Sequence, residues 1–447
     1  MSIAQVLKCI EDNSIDLIRF EQTDMYGIAR SKTIPARHFR KKATEGLNFF
    51  LGHLSYDPMA GFIQGTGYLE EIGYGDAVCF PDFNTFVILP WCDRTGRILI
   101  EPTFRGEQVA SHPRVVARRQ LDRLKNLGLS LLSAHEYEFY LVHRGTKKRI
   151  NNDHNIRSTL RNNEDMKFTN QIARDLPQVG VDIECLETEY GLGQLEISYL
   201  PAFGIRAADN AHTYKASIKE IARQHNYEAI FMSKPFPDDV GNASHFCHSL
   251  WDAEEKVPVL YDPNDPNGLS ETAKHWMAGI LAHAPAIGVL MAPTVNCVSR
   301  YQLNSWAPYN ATWGYDNRSC FLRVKVNGSK NTYIENRAGA SGSNPYLSLA
   351  ATVAAGIDGI ERKLSLPKEV TGSAYDEKEI PPGTALIPNT MKEALKAFLD
   401  DKVITDALGE EFVRVFRVAK EHEMKLQEEA ISKGNTNWEQ ELYFDYM

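Results

Sequence analysis

The sequence has little that would bind nucleic acid and nothing that would cross a membrane. Its formal net charge is −9, and its Lys/Arg pairs, such as those at 41–42 and 147–148, are isolated. A chain without a basic stripe cannot neutralise a run of phosphates, which excludes nucleic-acid binding as a main activity. No stretch of about 18 apolar residues occurs, so no membrane-spanning helix is expected. The first segment, MSIAQVLKCIEDNSIDLIRF, has acidic residues where a secretory signal needs an apolar run, and a cytoplasmic location is expected. Seven cysteines are scattered and never form CxxC, which suits reduced thiols and provides no disulfide framework. There is no Walker A sequence. The Gly-x-Gly turn at 191–193 lacks a third glycine and opens onto a strand, so it is no dinucleotide fingerprint.

The 447 residues suffice for more than one domain. Residues 1–107 read as short alternating apolar segments (IDLIRFEQTD, YGDAVCFPDFNTFVILPW, GRILIEP) divided by turn residues, which predicts a small sheet-rich domain. At SHPRVVARRQLDRLKNLG the period becomes helical, with Pro113 near the helix start, placing a boundary at 107–113. From 108 to 447 helices alternate with strands. Helices are expected over 166–178, 204–225, 269–284, 344–363 and 391–430. Strands are expected at LSLLSAHEYEFYLV, GQLEISYLP, EAIFMSKP, SHFCHSLWD, SCFLRVKV and TYIENR, and residues 364–389 read as a long surface loop. The fold class is α+β.

Carboxylates carry the chemistry. Glu136 and Glu138, at i and i+2 of one strand, share a face and need a cation or a proton between them. Glu187, Glu189 and Glu196 bracket the Gly-x-Gly turn, and Glu196 interrupts an apolar strand. Glu335 and Arg337 alternate in IENR, and Arg318 and Arg323 follow the aromatic segment WAPYNATWGYD, where arginines suit a phosphate or carboxylate clamp. In GNASHFCHSL, His245 and Cys247 share a strand face and His248 points away. No second Cys/His pair completes a tetrahedral zinc site. Glutamates with one imidazole suit Mg²⁺ or Mn²⁺ instead.

Taken in order, these pieces resemble the glutamine synthetase family in its type I-like branch. The segments are ExE at 136–138, EYGLGQLEI at 189–197, ADNAHTYKASIKEIA, FMSKPF, the His-bearing stretch at 241–250, LSETAKHWMAGILAHAPA, TVNCVSRY, WGYDNRSCFLRV, IENRAGASGSNPYLSLAATVAAGIDGI and ALGEEFV. The resemblance extends to RFEQTDMYG and FPDFNTFVILPW near the N-terminus. It implies a β-grasp-like N-terminal domain (1–107), a catalytic α+β domain (108–447), and a homo-oligomer of stacked hexameric rings, a dodecamer. The implied reaction is ATP-dependent: a γ-glutamyl phosphate forms, and ammonia or an amine displaces phosphate, with two or three Mg²⁺ or Mn²⁺ ions. One ion would be held by Glu138, Glu189 and Glu196, the other by Glu136, His245 and Glu335. Arg300 and Arg337, with Gly241, match the glutamate-binding positions; Arg318 and Arg323 match the phosphate arginines, with Arg318 and Arg337 beside the reacting group. Ser249 falls near the nucleotide. Asp24 matches an acidic residue that reaches a neighbouring subunit's site to help bind ammonium.

The departures are local. Trp306 stands where the family's flap has the Glu that deprotonates ammonium, Val240 replaces an Asn that contacts substrate, Ala243 replaces a Gly, and Cys247 stands where a second His often lies. Two readings follow. In one, the acceptor is an amine larger than ammonia, as in glutamate–amine ligases, with Trp306 covering it. In the other, WGYDNRSC and LGEEFVRVF place the chain beside a catalytically silent, structural branch that keeps the fold and its metal and nucleotide site.

Overall fold

The computed structural model describes residues 1–447. Two sheets organise the chain. The first runs, in spatial order, Ala29–Pro35, Leu17–Thr23, Thr95–Phe104, Asp76–Pro81, Leu47–Phe50, with Val87–Ile88 and Glu107–Gln108 also paired to Thr95–Phe104. The three alternating segments of 1–107 supply Leu17–Thr23, Asp76–Pro81 and most of Thr95–Phe104, whereas Ala29–Pro35 and Leu47–Phe50 lie outside them. Two helices in this region have no counterpart in the sequence expectation. Ile3–Asp12 is closed by a capping box between Ser2 and Gln5 and buries Val6 and Ile10. Phe39–Glu45 buries only Phe39 and Ala43, an i, i+4 pair too sparse to give a period by itself.

The second sheet has the order Trp313–Tyr315, Leu322–Lys325, Tyr333–Asn336, Ser244–Asp252, Leu129–His143, Gln194–Tyr199, Ile183–Thr188, and Ala202–Phe203 and Tyr227–Ile230 also pair with Leu129–His143. Pairing is antiparallel throughout except between Trp313–Tyr315 and Leu322–Lys325. Alternation along Leu129–His143 separates the two faces. Tyr137 and Phe139 point to the helix side, where Tyr137 stacks on Tyr214 of the helix Ile205–Gln224 and Phe139 on Phe231. Glu136 and Glu138 therefore point to the opposite face.

The helices behind the sheet pack closely because small residues line their contact. The helix Pro345–Glu361 starts at an Asn344 cap with Pro345 in its first turn and is buried on nearly all sides. It crosses Glu271–Ala282 so tightly that a Cβ on Gly279 would lie 2.2 Å from the Ala355 carbonyl oxygen, and one on Gly359 2.1 Å from that of His275.

Two helical expectations are corrected. The segment 391–430 is three helices, Met391–Asp400, Lys402–Leu408 and Glu410–Ser432, broken where Asp401 leaves helical geometry to cap the second and where Gly409 takes φ +88°. The helix over 269–284 stops at Ala282, and a second one, Ala284–Met291, follows after His283. The strand expected across EAIFMSKP is limited to Tyr227–Ile230. No helix is long and apolar enough to cross a membrane.

Candidate functional site

Six neighbouring strands carry the charged residues in rungs across one sheet face. Register sets Arg323 opposite Glu335, Glu335 opposite Cys247, His245 opposite Glu136, and Glu196 between Glu138 and Glu187. Paired residues project from the same side, so segments more than 100 residues apart deliver one continuous charged surface.

Glu136, His245 and Glu335 form the centre, with one ligand atom from each within 4.8 Å of the others. His245 Nδ1 lies 3.5 Å from Glu136 Oε2 and 3.4 Å from Glu335 Oε1. Burial, then the charge of Arg337, holds His245 well below the usual histidine pKa, so the imidazole is neutral as a ligand must be. Glu335 is buried between two guanidiniums: Arg323 Nη1 donates to Oε2 at 2.8 Å and Arg337 Nη1 donates to Oε1. Arg323 also pairs with Asp316 at 2.5 Å.

The second group surrounds Glu196. Burial and then Glu189 push the Glu138 carboxyl up to about 7. Burial, then Glu136, Glu138 and Glu189, raise that of Glu196 far above its ordinary value. Glu189 is raised too, by burial, against the opposing charge of Arg157. Buried carboxylates that repel one another in this way favour protonation or a shared cation. Hard oxygen donors with one neutral imidazole fit Mg²⁺ or Mn²⁺. Glu138 Oε2 is fixed by the Ala243 N–H at 2.7 Å and by Gln194 Nε2 at 3.3 Å, so these two residues hold a prospective ligand in place.

The remaining sequence-derived positions divide. Arg300 is buried, donates to the Ala338 carbonyl at 3.3 Å, and its charge acts on Glu138. Its side chain passes Gly241, where an added Cβ would come 3.6 Å from it and 2.9 Å from the Ser233 carbonyl oxygen. Arg337 also reaches the Trp306 carbonyl at 3.5 Å, which ties the centre to the loop at 302–306, while the Trp306 side chain is 68% exposed. Arg318 is exposed, and its charge reaches Glu189. Ser249 lies on the His245–Cys247 face but accepts from Trp251 Nε1 at 3.0 Å, and no contact joins it to the carboxylates. Asp24 is engaged within its own chain. It is fully buried, accepting from the N–H groups of Tyr26 and Ile28 and from Arg30 Nε, all within 3.0 Å. An Asx-type turn thus engages the carboxylate that the family resemblance assigns to a neighbouring subunit's site.

Two contributors were read differently or not at all from the sequence. Cys247 stands inside the centre, its thiol donating to Glu136 Oε1 at 3.4 Å, and burial, then Glu136 and Glu335, hold it protonated. Arg157 pairs with Glu187 and approaches Glu189; a lone Arg in a polar stretch gives no periodic signal. His248 faces away and accepts from Trp276 Nε1 at 3.0 Å, as strand alternation requires.

A largely antiparallel sheet bearing a carboxylate–histidine cluster that could hold a metal ion, with arginines around it and helices behind it, defines an α+β protein. Residues 110–443 match the family description "Glutamine synthetase, catalytic domain". The chain is 37% identical to human lengsin over 96% of its length and 84% of that protein. It is 33% identical to the Thermus thermophilus glutamine synthetase over 94% of both, and 29% identical to a Pseudomonas glutamate–isopropylamine ligase over 99% and 98%. Among solved structures, apo GmaS superposes with a TM-score of 0.85 at 25% identity over 98% of each chain. A glutamine synthase homolog superposes at 0.81 with 28% identity over 92% and 95%. The chain belongs to the glutamine synthetase family.

Proposed function

We propose that the chain is an ATP- and divalent-cation-dependent ligase that joins the γ-carboxylate of glutamate to an amine larger than ammonia, through a γ-glutamyl phosphate. The observation that carries this reading is the Glu136–His245–Glu335 centre beside the Glu138–Glu189–Glu196 group, all on one face. Divalent ions held there would neutralise triphosphate and carboxylate together and polarise the transferred phosphoryl group. Around them the chain's own residues have separable tasks. Arg300 and Gly241 would hold glutamate, Arg337 would sit beside its reacting carboxylate, and Arg318 and Arg323 would grip phosphate oxygens. The 302–306 loop would cover the acceptor. Trp306 has no group to take a proton from ammonium, and its indole offers apolar area to an alkylamine. Similarity to a glutamate–isopropylamine ligase supports the same acceptor class.

The test is phosphate release from ATP with glutamate and a panel of ammonia, monoalkylamines and polyamines. Release with an alkylamine exceeding that with ammonia is expected; ATP binding without release for any amine overturns the reading. The similarity to lengsin and the absence of a flap carboxylate favour the second reading, a structural member keeping metal and nucleotide sites without turnover. In that case Glu136→Ala would lower thermal stability and leave cellular function intact.

A further inference from the structure

Arg157 lies outside every role assigned above, yet it is the residue that closes the outer edge of the acidic group. Its backbone N–H is pinned by Thr188, to the carbonyl at 3.2 Å and to Oγ1 at 3.0 Å, and its φ of +57° turns the side chain back along the strand Ile183–Thr188. The guanidinium then lies across two carboxylates. Nε donates to Glu187 Oε2, Nη2 to Glu187 Oε1 at 3.3 Å, and Nη2 is 3.5 Å from Glu189 Oε1. Its side chain is 58% exposed, whereas the arginines on Glu335 are buried. Ile156 and Leu160 beside it are also exposed, and the segment is further anchored by buried Arg161 and by Asn162, whose Oδ1 accepts from the Thr188 N–H at 3.3 Å.

Four carboxylates, Glu138, Glu187, Glu189 and Glu196, thus meet at adjacent rungs, and Arg157 is in ion-pair contact with two of them, Glu187 and Glu189. A positive charge fixed there opposes a second positive charge entering the same group. We propose that Arg157 is a tethered counter-cation that competes with a divalent ion for the Glu189 side of this group and so sets its cation affinity. The proposal rests on the cation-binding reading of the site. It makes Arg157 a positioning residue: it tunes when the carboxylates accept an ion without touching the reacting atoms.

Mn²⁺ binding to the full chain, followed by electron paramagnetic resonance of the free ion without nucleotide, tests this. Arg157→Gln should tighten Mn²⁺ binding about three- to tenfold, the effect of removing one nearby charge at a partly exposed site. Arg157→Lys, which keeps the charge and loses the fork, should stay within about twofold of the parent. Equal tightening in both variants would mean that a loosened loop, not charge, is responsible, and would overturn the proposal. So would an unchanged affinity in Arg157→Gln when the parent binds Mn²⁺, an outcome that leaves the ligase reading standing. Absence of Mn²⁺ binding in the parent and variants overturns both.

Discussion

At the residue scale, Glu335 does two things at once. It is a prospective cation ligand and the common partner of buried Arg323 and Arg337. Glu335→Gln keeps the shape and removes the charge, leaving two desolvated guanidiniums undercompensated. Breaking such a buried pair costs about 3–5 kcal/mol. Even outer-shell partners of a metal ligand are worth about 10–100-fold in affinity, so a direct ligand should be worth no less. The expected outcome is a clear drop in denaturation midpoint together with loss of Mn²⁺ binding, read by chemical denaturation and calorimetric titration on the same preparation. Trp306 predicts the opposite combination. An exposed side chain truncated to Ala should change stability by no more than about 0.5 kcal/mol. The KM for an alkylamine should rise while that for ammonia stays unchanged; equal effects on both would show that Trp306 does not contact the acceptor.

At the scale of elements, His283 joins three helices at one point. It links the end of Glu271–Ala282 to Asp358 of Pro345–Glu361 at 2.9 Å and to Asp401, the cap of Lys402–Leu408, at 2.6 Å. Burial opposes the charge on His283, but hydrogen bonds to Asp401 and Asp358 outweigh it and raise its pKa. A histidine with a folded pKa above its unfolded value of about 6.5 binds protons more tightly when folded. Its contribution is therefore complete below about pH 6.5 and is lost as pH rises through the raised value. His283→Gln should lower stability by about 1–3 kcal/mol at pH 6, and the gap to the parent should narrow steadily toward pH 9. A gap independent of pH would mean that packing, not charge, is what His283 supplies. This junction explains why the helical period of 391–430 does not continue unbroken: the Asp401 carboxylate is used for a cap and an ion pair, which needs a non-helical backbone there. No hydrophobic pattern encodes that choice.

At the scale of the molecule, the acidic face couples ions, protons and folding. Glu138, pushed up to about 7, and Glu196, also raised by burial and by Glu136, are carboxyls that hold protons more tightly in the folded chain. Their contribution without divalent ions is present below about pH 4.5 and declines as pH rises through 7, since folding then requires discharging buried acids. Added Mg²⁺ or Mn²⁺ should reverse that slope. At a hundred times the dissociation constant a bound ion stabilises by about 2.7 kcal/mol. The expected result is a thermal midpoint that falls from pH 5 to 8 in chelator and rises over the same range with Mn²⁺. A midpoint indifferent to Mn²⁺ at pH 8 would remove the cation site from consideration.

The sequence by itself determined the α+β class, the family and most of the strands that carry the site, because these depend on local alternation and on motifs met in order. It also settled that His245 and Cys247 share a face that His248 does not, since strand period is a local property. Tertiary structure alone decided which carboxylates become neighbours, because register between strands far apart in the chain sets Glu196 between Glu138 and Glu187, and Glu335 beside Cys247. It also turned Asp24 inward, where two N–H groups of its own turn and Arg30 of the next strand donate to it, and laid Arg157 over Glu187 and Glu189. A charged side chain has many partners within reach of its backbone. Only the folded chain, through burial and register, selects among them.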